Sequence, residues 1–194
     1  MGIRLSIPSD YEDITVGQYR DYYAAKNDLE RLMAICEIDR KSAQDIPINH
    51  IPTLLDVFVE GLSRQSQKFS PTITLGKTTY GFIPNLYNMT LAEYADAVEL
   101  SKDLQKNIVL LAGLFYRPVT KQVGDKYQIA KYDPADNDLR EDEIKQLTLE
   151  YFNGMMLFFW TLSNELQKTS ADYLSQEIHQ MKQMATEMGL IQKD

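Results

Sequence analysis

The sequence predicts an α+β, mainly α-helical protein: two related strand-helix halves, two short β-hairpins and a C-terminal helix. Three observations predict it. Apolar side chains recur at helical three- and four-residue spacing along most of the segments between turn signals. Residues 72–83 and 119–131 instead gather β-branched and aromatic residues around Gly76-Lys77 and Gly124-Asp125. The third observation is a repeat: Thr15-Val16-Gly17-Gln18-Tyr19-Arg20-Asp21 matches Thr90-Leu91-Ala92-Glu93-Tyr94-Ala95-Asp96, and Asp28-Leu29 matches Asp103-Leu104 at the same spacing. Five identities fall between residues 15 and 29, where about one is expected by chance at ordinary composition. A duplicated structural unit accounts for them. The halves are residues 1–70 and 71–168, sharing one core, with residues 169–194 as an attached C-terminal helix.

The elements follow in order. Ile3, Leu5 and Ile7 alternate as in a half-buried opening strand. Thr15 with Gln18 forms a capping box that starts a helix, and Asp28 caps a second segment after a break at Asn27. Val16, Tyr19, Tyr22 or Tyr23, Leu29, Leu32, Met33 and Cys36 line one face of this pair. Ser42 with Asp45 starts a short turn, and Pro52 sits in the first turn of a helix carrying Leu54, Leu55, Phe58, Val59 and Leu62. After the first hairpin, Thr90 and Glu93 form the second capping box and Asp103 caps an apolar helix, which Arg117-Pro118 ends. The second hairpin leads through an acidic connector to a short helix at Glu141 to Leu147. A long helix from Leu149 to Lys168 follows, apolar on nearly every side and therefore the expected centre of the core. Thr169 or Ser170 restarts a helix that Gly189 ends.

Composition narrows function by exclusion. A formal charge of −8 with scattered lysines and arginines opposes nucleic-acid binding and disfavours anionic membranes. A single cysteine, Cys36, excludes a disulfide within the chain. No cofactor motif and no catalytic motif is present, so the expectation is a non-enzymatic protein. His50 reads as a capping or surface residue, His179 as solvent-facing, and Cys36 as core packing. The carboxylates Asp133, Asp136, Asp138, Glu141, Asp142 and Glu143 form the densest acidic cluster, but they lack the glycine and terminal glutamate of a calcium-binding loop. They read as helix-start and solubility residues, with a divalent-metal enzyme as the alternative. Tyr19 and Tyr94 are each expected to pack on a neighbouring hairpin or strand. The C-terminal helix is the candidate partner-binding surface, because Leu174, Ile178, Met181 and Met188 follow the rhythm of a helix-helix seam and Met184 widens it.

The runs Tyr80-Gly81-Phe82-Ile83-Pro84-Asn85, Met89-Thr90-Leu91-Ala92-Glu93-Tyr94, Tyr116-Arg117-Pro118, Gly124-Asp125-Lys126-Tyr127 and Phe158-Phe159-Trp160 give residues 72–165 a family likeness. They resemble a group of tailed-bacteriophage proteins of poorly defined role. The chain is also loosely similar to the acidic α-helical tail assembly chaperones, which keep an apolar tail protein soluble until the tail tube forms. The resemblance implies virion morphogenesis in the host cytoplasm, with other phage tail or virion proteins, or further copies of the chain, as partners. A structural subunit of the tail, connector or baseplate is its alternative, and no catalytic residue comes with it.

Overall fold

The structure, a computed structural model, describes residues 5–161, 163–165 and 168, apart from the side chains of residues 137–139. The proposed partner-binding residues Leu174, Ile178, Met181, Met184 and Met188 lie outside the described residues, as does His179. The described part is mixed helix and antiparallel sheet, as the turn and periodicity signals require.

Two helical pairs form around the repeated phrases. Helices α1 (Val16–Ala24) and α2 (Asp28–Cys36) pack together, as do α5 (Leu91–Ser101) and α6 (Leu104–Phe115). Between the pairs lie α3 (Arg40–Gln44), α4 (Ile51–Ser63) and the first hairpin. Both capping boxes are complete: Thr15 Oγ1 accepts from the Gln18 amide at 3.1 Å, and Thr90 Oγ1 accepts from the Glu93 amide at 3.2 Å. Asp103 caps α6 as expected. In the first half the cap shifts by one residue, because Asn27 Oδ1 accepts from Glu30 N and Asp28 instead pairs with Arg31. Similarly, α3 is started by Asp39, which accepts from Ser42 N, rather than by Ser42 itself.

The two hairpins are β1 (Thr72–Leu75) with β2 (Thr78–Phe82), and β3 (Tyr116–Val123) with β4 (Lys126–Ile129). Gly76 and Gly124 take the left-handed conformation, φ 57° and 58°, that each tight turn requires. The hairpins are not separate: β2 pairs with β3, giving one sheet in the order β1-β2-β3-β4. Helices α5 and α6 are thus an insertion between its two central strands. Residues 5–9 form no strand, so the opening alternation has no sheet to join.

Helix α6 lies at the centre of the core of residues 1–156. Ile108, Val109, Leu111, Ala112, Gly113, Leu114 and Phe115 are all buried, because α6 is enclosed by α1, α5, β3 and α7 (Asp136–Ile144). That last helix begins five residues earlier than the acidic run suggests. The helix over 149–161, α8, buries Phe152, Met155, Met156 and Phe159 at one-turn spacing but leaves Leu157, Phe158 and Trp160 about half exposed. The chain divides into two compact units, Met1–Met156 and Leu157–Asp194. Both repeats belong to the first. In the second, Thr161 Oγ1 donates to Leu157 O at 2.8 Å, and the Phe159 and Trp160 rings lie 5.5 Å apart.

Candidate functional site

An open groove of about 670 Å³ runs between α1, α2 and the segment after α7. The apolar part of its lining is Ala24, Ala25, Met33, Ala34 and Ile38. Small side chains on the facing turns of α1 and α2 leave the space, and methionine gives it an adaptable surface. Carboxylates stand around it, namely Asp21, Glu30, Glu37 and Asp142, against the single cation Lys145. Glu37 closes α2 in the left-handed conformation, φ 52°, which is uncommon for a residue with a side chain.

Backbone bonds hold this groove open. Val16 N donates to Leu147 O at 2.8 Å, Gly17 N to Lys145 O at 3.1 Å, and Leu149 N to Ile14 O at 2.8 Å, so residues 145–149 strap the start of α1. With the Thr15 cap, these bonds satisfy amides that a helix start leaves without partners. Gly17 permits the approach: a methyl group there would stand 2.8 Å from Lys145 Cβ. At the far end, Gln18 Nε2 donates to Ile35 O at 3.0 Å and ties α1 to the last turn of α2. Arg20 bridges Asp21 and Glu141, and Lys145 pairs with Glu141 and Asp142. These cations hold the Glu141 carboxyl below its ordinary range, Arg20 contributing most.

The acidic connector is dispersed. Asp133 Oδ1 accepts from Ala135 N, Asp136 pairs with Arg140, and Glu143 accepts from the hydroxyls of Tyr80 at 2.6 Å and Thr78 at 3.2 Å. Those hydrogen bonds lower the Glu143 pKa, while burial raises that of Tyr80. Among the described residues no three His, Cys, Asp or Glu side chains gather as a metal site would require. Cys36 is only half-buried, and loss of solvent pushes its thiol pKa up, away from a reactive thiolate. His50 stands exposed at the start of α4 and makes no side-chain cap. Tyr19 does not pack on a strand; its ring lies 4.8 Å from Tyr23, beside Leu104 and Ile108 of α6.

One charged cluster escaped sequence reading. Glu93 and Arg117 form an ion pair at 2.8 Å with side chains only 8% and 7% exposed. Arg117 also lies over the Tyr132 ring, whose hydroxyl donates to Asp96 at 2.9 Å. Burial lowers the Arg117 pKa against the opposing pull of Glu93. The signal was present: Arg117 follows Leu114-Phe115-Tyr116 in an apolar run, and a charge inside such a run requires a partner. Comparison with known protein families, characterised proteins and solved structures finds no significant match to the chain.

Proposed function

We propose that this chain is a non-enzymatic phage assembly protein, a tail assembly chaperone that shields apolar segments of a tail protein in the host cytoplasm. The groove between α1 and α2 is the observation that carries the reading. The alanines and methionine in its lining suit a segment of small apolar side chains, and its carboxylates favour one flanked by lysine or arginine. The net charge of −8 would keep a loaded complex soluble. The phage context rests on the sequence resemblance over residues 72–165.

A structural virion subunit is the second reading, supported by the β3–β4 arm. β2 pairs only with Tyr116, Arg117 and Pro118 of β3, so the arm beyond them is two-stranded, with Val123 68% exposed near its tip. Among the described residues β4 has no partner on its outer edge, and a neighbouring subunit would pair there. Quantitative mass spectrometry of purified particles and infected-cell lysate separates the two readings. A chaperone is abundant in lysate and absent from particles; a subunit persists in particles at fixed copy number. Normal tails from phage lacking the chain would refute both.

A further inference from the structure

On the face of α1 that carries Tyr19 and Tyr23 lies a second, smaller recess of about 230 Å³. Its walls are Leu62, Leu104, Ile108, Leu149 and Phe152 with the polar Gln65 among them, and among the described residues no charged side chain lines it. Tyr11 forms part of the buried interior at 7% exposure, whereas Tyr23 at the rim is 46% exposed. A dry apolar cavity of about 150 Å³ accepts benzene. This recess is larger but partly open to solvent and lined by polar as well as apolar atoms, and by volume it has room for a single substituted ring.

The polar end of the recess is set by Asn153. Its Nδ2 lies 2.7 Å from Tyr11 Oη and 3.2 Å from the Ser66 carbonyl oxygen. A carbonyl only accepts, so the amide nitrogen must face Ser66, and the same nitrogen then donates to Tyr11. The phenol oxygen is thus the acceptor of that bond. Among the described residues no acceptor for its own proton occurs, and the bond is part-buried. A hydroxyl proton without a protein acceptor favours whatever brings one to it.

We propose that this recess binds one uncharged aromatic ring bearing an oxygen acceptor, with Tyr11 as the hydrogen-bond donor that orients it. p-Cresol has this chemistry, and so does a tyrosine side chain. The site does not depend on the tail-assembly reading.

Ligand-observed NMR titration of the full chain with p-cresol, toluene and N-acetyltyrosine methylamide tests the proposal. p-Cresol is expected to bind saturably, and toluene about fivefold more weakly for want of one neutral hydrogen bond. Tyr11→Phe should abolish that preference while leaving toluene bound. Leu104→Trp fills the recess and should remove both ligands with the circular dichroism spectrum unchanged; if melting shows that variant unfolded, Leu62→Phe narrows the opposite wall. The peptide analogue binding in competition with p-cresol identifies a partner's tyrosine as the natural source, and p-cresol binding alone identifies a free small molecule. Absent saturable p-cresol binding, binding that survives the filled recess, or a preference that survives Tyr11→Phe would each overturn the site.

Discussion

The two capping boxes begin with the same words and end with different partners. In each, one end of the residue three positions into the helix closes the box: Gln18 Oε1 takes Thr15 N–H at 3.1 Å, and Glu93 Oε2 takes Thr90 N–H at 2.7 Å. The other end does new work. Gln18 meets a carbonyl, Ile35 O, which demands a donor; Glu93 meets the Arg117 guanidinium, which demands an acceptor. The surroundings diverge as well. Val16 is fully buried beneath the 145–149 strap, while its counterpart Leu91 is 84% exposed. Gly17 has no room for a methyl group, and its counterpart Ala92 stands exposed with one. Repetition preserved the way a helix is launched, and each copy's neighbours then chose the chemistry at the adjoining positions.

The largest effect should come from the buried pair. Arg117→Ala strands the Glu93 charge and should cost about 3–5 kcal/mol in urea unfolding. Replacing both partners with apolar residues should recover much of that loss, and failure to recover would mean that the pair is not the cause. Next, Gly17→Ala should cost about 1–3 kcal/mol by forcing α1 away from Lys145. The mirror change Ala92→Gly should cost less than about 1 kcal/mol, through helix propensity alone. Equal costs would erase the distinction between strapped and exposed copies.

Gln18→Glu sharpens the chemical contrast. It faces a carboxylate toward Ile35 O, so about 1 kcal/mol should be lost at neutral pH. Much of this should return in acid, where the protonated carboxyl can donate. The intact protein should behave oppositely. Glu141 and Glu143 have pKa values lowered by folding, so they bind fewer protons folded than unfolded. Their stabilisation is complete above the unfolded carboxyl value of about 4.3 and fades as pH falls through the folded values. Urea midpoints measured from neutral to acid should decline across that window, and a flat profile would refute the assignment. The smallest effect belongs to Leu91→Gln, expected within about 0.5 kcal/mol of the parent. A melt shift comparable to that of Val16→Ala would show that Leu91 is not exposed.

Local signals were legible. Both capping boxes, the Asp103 cap, the proline-started α4 and both hairpin turns form where residue type and spacing put them. Their causes lie within a few residues, in a side-chain oxygen reaching a nearby amide or a glycine adopting a left-handed turn. The groove and the recess were not legible, because Met33, Lys145, Tyr11 and Asn153 have no sequence relation to one another. The opening alternation failed at Leu5 and Ile7 for the same reason, while Ile3 lies outside the described residues. A strand needs a partner, and residues 5–9 have none among the described residues.

By itself, then, the sequence determined the two capping boxes, the Asp103 cap, the hairpin turns, the duplication, the acidic balance and the class of fold. Only the tertiary structure decided that the hairpins share one sheet, that α1, α5, β3 and α7 enclose α6, and that Glu93 finds Arg117. Caps and turns are settled by interactions a few residues long. Enclosure, pairing and cavity shape depend on which distant surfaces meet, and a periodic pattern offers an apolar face without naming what will cover it.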